Sequence, residues 1–170
     1  MNLSALTPGK TPDEINVVVE VPMGVSPVKY EMDKESGALF VDRIIHTAMY
    51  YPCNYGFIPG TLGKDGDPLD ALVASTVPFV PGSVVKARPV GVLLMEDESG
   101  CDEKIVAVPV SKTFPYFDAV KTVDELPAVL CDQIRHFFEH YKDLEKGKWV
   151  KVTGWGDLST AKAIIADSVK

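Results

Sequence analysis

Residues 28–45 read VKYEMDKESGALFVDRII, and the fold is decided there. On either side of Lys34-Glu35-Ser36-Gly37, β-branched and aromatic residues alternate with polar ones. That is the pattern of two antiparallel strands, Val28–Asp33 and Leu39–Ile45, joined by a hairpin loop. Working outward, similar short runs broken by Pro and Gly occur at Ile15–Val21, Val84–Leu94 and Lys104–Val110, so the front of the chain reads as a β-meander or barrel. After Val123 the period changes: Leu126, Val129, Leu130, Ile134, Phe137, Phe138 and Tyr141 fall on one stripe of a helix. Asp124 and Glu125 favour the start of that helix and Lys142 its end through the macrodipole. Trp149–Trp155 reads as one more strand, and Ala161–Val169 as a second short helix behind an N-cap at Ser159 or Thr160. The expected architecture is mainly β with α, a small barrel with helices packed on it.

Composition narrows the class. The chain has 170 residues, 46% of them apolar and 24% charged, enough to bury a core as one domain spanning residues 1–170. Cys53, Cys101 and Cys131 are too few and too scattered for a disulfide framework or a CxxC zinc site, so free thiols in a reducing compartment are expected. Met1–Lys10 lacks the basic start and apolar run of a secretory signal, and no stretch reaches the length of a membrane span. The expectation is a cytoplasmic protein without a membrane or nucleic-acid partner, because a net charge of −7 repels a phosphate backbone.

The placement of the carboxylates carries the chemistry. Asp65-Gly66-Asp67-Pro68-Leu69-Asp70 packs three of them into six residues. Either this is a solvated turn, or a hard divalent cation such as Mg²⁺, Mn²⁺ or Ca²⁺ relieves the repulsion. An EF-hand is excluded, because counting from Asp65 puts Leu69, Asp70 and Thr76 where that loop needs a ligand, a glycine and a glutamate. Asp97 and Asp102 bracket a four-residue loop that a hairpin would close, with Glu96, Glu98 and Glu103 beside them. The plain alternative is a charged surface tip. Glu20 and Glu31 lie inside strand patterns, and alternation sets Glu31 and Lys29 on one polar face.

Cations accompany the acids. Alternation aligns Arg43 with Leu39, Val41 and Ile45 rather than with Asp42, so it needs either a buried ion-pair partner or an anion. The aromatic loop Tyr50–Thr61 leads into the aspartate cluster; packing explains most of it, while a phenol reaching the site can donate to a phosphate oxygen. Tyr141 and Lys142 stand together at the end of the long helix, and Lys104 follows the Asp97/Asp102 loop. Carboxylates for metals beside cations for anions are what phosphate chemistry with divalent metals uses. His136 and His140, one helical turn apart, read as surface or subunit contacts because no third metal ligand is apparent.

Asp65-Gly66-Asp67-Pro68-Leu69-Asp70-Ala71 resembles the D-x-D-P-x-D signature of the soluble family I inorganic pyrophosphatases, and Asn54–Thr61 resembles the stretch that precedes it. The resemblance extends from Glu20 to Lys142. It implies a five-stranded OB-like closed β-barrel flanked by two helices, and hydrolysis of pyrophosphate to two orthophosphates by in-line attack of a metal-activated water. It also implies Mg²⁺ as cofactor, with Mn²⁺ a substitute, and a homohexamer. By the same resemblance Asp65, Asp70 and Asp102 hold the activating metals, with Asp97 joining Asp102 on metals arriving with substrate. Glu20 and Glu31 complete the outer metal contacts. Lys29, Arg43, Tyr55, Lys104, Tyr141 and Lys142 hold the phosphoryl groups, and Asp67 is the general base.

Two other readings fit the same residues. Small barrels also serve as binding modules for nucleic acid or oligosaccharide, which the acidic charge opposes. A metal-dependent hydrolase of nucleotides or phosphoesters would use a similar acidic site, and only substrate comparison separates it.

Overall fold

Strand β7 (Val84–Asp97), the longest, organises the molecule by pairing with four other strands. The computed structural model describes residues 3–170; Met1 and Asn2, the first two residues of the expected domain, lie outside the described residues. In chain order the strands are β1 (Gly9–Lys10), β2 (Glu14–Val21), β3 (Val28–Met32), β4 (Leu39–Ile44), β5 (Asn54–Phe57), β6 (Asp70–Val73), β7, β8 (Gly100–Cys101), β9 (Lys104–Pro109) and β10 (Val150–Gly156). Two helices, α1 (Ala128–His140) and α2 (Leu158–Ser168), complete the fold.

Five strands close a ring. β2 pairs with β5, β5 with β6, β6 with β9, β9 with β7, and β7 returns to β2. All these pairings are antiparallel except β6–β9. The expected five-stranded OB-type ring with two flanking helices is borne out. β3 and β4 form the hairpin read from residues 28–45, as a separate two-stranded sheet.

Alternate residues of the ring strands feed two apolar cores. Leu72, Leu93, Met95, Val106 and Val108 pack with Ile134, Phe137 and Phe138 of α1. Ala71, Val73, Val92, Ile105 and Ala107 pack with Ala161 and Ile165 of α2. Burial on both faces explains why β6 and β9 carry continuous apolar runs instead of alternation, and why β5 and β6 escaped the sequence reading as strands. Gly56 is where β2 crosses β5 most closely: a Cβ there would meet the Val18 carbonyl oxygen at 1.9 Å.

Both helix starts differ from expectation. Asp124 and Glu125 belong to a 3-10 turn, Val123–Glu125, closed by a capping box in which Glu125 accepts from the Thr122 N–H. Pro127 then precedes α1, so Leu126 packs as part of the connection. α2 begins at Leu158 because Asp157, not Ser159 or Thr160, is its cap, accepting from the Thr160 N–H at 2.8 Å.

Candidate active site

Strand parity gathers the site. Tyr55, Asp70, Asp97 and Lys104 share the ring face of Leu72, Leu93 and Val106, the face toward α1, and lie near strand ends. The parallel register sets Asp70 directly beside Lys104. Tyr141 and Lys142 follow the last turn of α1. The β3–β4 hairpin supplies Lys29, Glu31 and Arg43, and the glycine-bearing loop before β6 supplies Asp65 and Asp67. Gly66 turns that loop at φ +94°, a conformation costly for any residue with a Cβ.

These elements enclose an open cleft with room for about 260 Å³ of solvent. Every residue to which the family resemblance assigned a site role lines it: Glu20, Lys29, Glu31, Arg43, Tyr55, Asp65, Asp67, Asp70, Asp97, Asp102, Lys104, Tyr141 and Lys142. Lys34, Glu98 and Lys148 line it too, and sequence reasoning passed over them as sites. Lys34 sat in a turn and Lys148 in a polar segment without periodicity, where one sequence carries no signal. In all, eight carboxylates face six cations, an acid excess that leaves room for divalent cations.

Lys104 stands at the centre, 2% exposed, its Nζ donating to Asp70 Oδ2 and Asp102 Oδ1 at 2.5 Å each. Burial alone would depress its pKa, but the two carboxylate charges hold it above the usual lysine range. Lys142 Nζ donates to Asp97 Oδ2 at 2.7 Å. Burial pushes the Asp97 carboxyl up, yet Lys142 and the Ser99 N–H outweigh it and hold that carboxyl below the ordinary range.

Other acids go the opposite way. Burial raises Asp65, with Asp70 and Asp67 adding repulsion. Burial also raises Asp102, with Asp70 and Asp97 adding to it. Glu20 is buried and raised by that burial, although its carboxylate accepts from the Met32 N–H at 2.8 Å and from Lys34 Nζ at 3.1 Å. Among the described residues, Asp67 is the cleft aspartate whose side chain has no hydrogen bond or ion pair; its backbone N–H donates to Asp65 Oδ1 at 3.1 Å. Burial lifts the Tyr55 and Tyr141 phenols well above 10, so both remain protonated donors at neutral pH.

The alignment expected for Arg43 is corrected. A bulge between Lys29 and Tyr30 pairs Lys29 with Arg43 and Tyr30 with Val41, leaving Asp42 between the two pairs. Arg43 Nη1 therefore donates to Asp42 Oδ2 at 2.7 Å, while Leu39, Val41 and Ile44 are exposed. The His136 and His140 rings lie with centroids 4.7 Å apart and planes tilted by 48°, and His140 Nδ1 lies 2.8 Å from Asp143 Oδ2.

As the side chains stand, no three His, Cys, Asp or Glu among the described residues gather closely enough to hold a metal ion. The donor set nevertheless fits a hard cation in kind. Its oxygens are carboxylates, and Asp65 and Asp102 are raised first by burial and further by neighbouring carboxylates, both of which a bound divalent ion would offset.

A sequence model described as inorganic pyrophosphatase matches residues 17–170. The chain belongs to the inorganic pyrophosphatase family. It is 63% identical over 157 residues to the inorganic pyrophosphatase of Rickettsia prowazekii, covering 92% of this chain and 91% of that one. Identity to the Xanthomonas campestris pv. campestris enzyme is 57% over 171 residues, covering 100% and 96%. The solved inorganic pyrophosphatase of Coxiella burnetii superposes with a TM-score of 0.94 at 49% identity, over 96% of this chain and 98% of that one. The matched residues 17–170 include both helices and every residue lining the cleft.

Proposed function

We propose that this chain hydrolyses pyrophosphate to two orthophosphates in the cleft between the ring, the hairpin and the end of α1. The observation that carries the reading is the Asp65–Asp70 loop facing Lys29, Arg43, Lys104 and Lys142 across one cleft, in a member of the inorganic pyrophosphatase family. Asp65, Asp70 and Asp102 would hold the activating divalent cations and Asp97 would join Asp102, with Glu20 and Glu31 as outer contacts. When bound, Mg²⁺, or Mn²⁺ in its place, supplies charge neutralisation of the substrate and a lowered pKa for the attacking water.

The chain's own groups do the rest. Asp67, whose carboxylate is otherwise unpartnered, takes the proton from the water at one of its carboxylate oxygens. Lys29, Arg43, Lys104 and Lys142 neutralise phosphoryl oxygens, and the protonated Tyr55 and Tyr141 hydroxyls donate to them. No histidine, serine or cysteine is needed as nucleophile. The protein is further proposed to act as one domain over residues 1–170, in the cytoplasm, as a homohexamer without nucleic-acid or membrane partners. No helix among the described residues is long and apolar enough to cross a membrane.

The test is phosphate release from pyrophosphate with Mg²⁺, with excess chelator, and with Mg²⁺ restored, alongside ATP and a phosphomonoester. Release from pyrophosphate that stops and returns with the metal supports the reading. Equal release from ATP or the monoester moves the protein to the broader phosphohydrolase class.

A further inference from the structure

Glu145 belongs to the turn between α1 and β10, outside the cleft lining, and carries a buried carboxylate. Its Oε1 lies 2.8 Å from Arg43 Nε. The approach is close but misaligned: neither Arg43 Nε nor Glu145 Oε2 has a hydrogen-bond partner. A carboxylate is expensive to bury, and one held against a cleft cation without satisfying its own oxygens is there for the cation's charge and position.

Arg43 is thus gripped from two elements. Asp42 takes Nη1 from within the hairpin, and Glu145 faces Nε from the far side of the cleft wall. Asp42 also accepts from Lys29 Nζ at 3.0 Å, and Lys29 donates to Glu31 at 3.2 Å. The charges alternate along one string from Glu145 through Arg43, Asp42 and Lys29 to Glu31. Glu145 is the string's buried end, and it ties the exposed hairpin to the segment that carries Tyr141 and Lys142.

We infer that Glu145 is a positioning residue for phosphate binding, fixing Arg43, and through Asp42 also Lys29, against the cleft. It touches no substrate itself. The inference rests on the reading of Arg43 as a phosphate ligand, and its physical basis is that an anchored guanidinium loses less freedom when it binds than a loose one.

The experiment uses Glu145→Gln, Arg43→Lys and the double variant in the full chain. It measures kcat and KM for pyrophosphate with Mg²⁺, calorimetric affinity for inorganic phosphate, and melting temperature. Glu145→Gln should raise KM and the phosphate Kd about tenfold, the size typical of removing a supporting partner, with a smaller change in kcat. In the Arg43→Lys background the same change should add nothing further. Glu145→Asp, which keeps the charge but withdraws it by one methylene, should fall between wild type and Glu145→Gln. Equal effects in both backgrounds, or a KM within about twofold of wild type for Glu145→Gln, overturn the inference. An unchanged KM and phosphate Kd in Arg43→Lys alone would instead remove the reading of Arg43 on which it stands.

Discussion

Replacing Lys104 with methionine removes the ammonium that bridges Asp70 and Asp102 and keeps the bulk of the side chain. Both ion pairs are at 2.5 Å and Lys104 is essentially inaccessible, so the two carboxylates are left facing each other with little water. Breaking a buried charge set by deleting one partner costs about 3–5 kcal/mol. Side-chain exposure of 22% for Asp70 and 14% for Asp102 favours the lower end. For a chain of this size about 3 kcal/mol corresponds to roughly 6–12 °C in Tm. The sign with pH follows from the raised pKa of Lys104: its stabilisation is complete below the ordinary lysine value near 10.5 and fades as pH climbs through the higher folded value. The gap between wild type and variant is therefore flat from neutral pH to about 10 and closes above it. Urea unfolding in excess chelator at pH 7 measures the gap, and Mg²⁺ should narrow it by neutralising the two unpaired carboxylates. A loss below about 1 kcal/mol in chelator would refute the central role given to Lys104.

Asp67→Asn should cut kcat by about 100-fold or more while calorimetric Mg²⁺ affinity stays near wild type, because it removes a proton acceptor and few ligands. Gly56→Ala should cost more than about 3 kcal/mol and fail to give a cooperative thermal transition, since its Cβ would strike the Val18 carbonyl in the backbone itself. Alkylation of the folded protein followed by peptide mass analysis should modify the exposed Cys101 first. Cys53, buried with its thiol pushed up to about 12, should stay unmodified until the protein unfolds.

The cleft was more legible than the fold's details. Spacing singled out Asp65, Asp67, Asp70, Asp97 and Asp102 as candidates while leaving a solvated turn or a charged surface tip open, and the family resemblance gave them and Lys104 their roles. Glu145 was illegible, since its partner lies about a hundred positions away and its loop has no period. β5 and β6 were hidden because strands buried on both faces lose the alternation that marks a strand. The orientation of Arg43 was misjudged for one reason, a bulge that a hairpin's alternation does not advertise. The start of α2 shifted because the Asp157 carboxylate competes for the Thr160 N–H and wins.

The parallel β6–β9 contact also constrains how the protein acquires its binding capacity during folding. Asp70 and Lys104 are 34 positions apart, and the strands bearing them become neighbours only after β7 has been laid down between them in sequence. Contacts of this kind are slow to form, because the loop must close before the pairing rewards it. A chain that has collapsed without closing the ring holds no paired Asp70 and Lys104 at all. Phosphate or Mg²⁺ added during refolding should therefore leave the early phases unchanged and slow unfolding instead, acting as a latch on the finished ring.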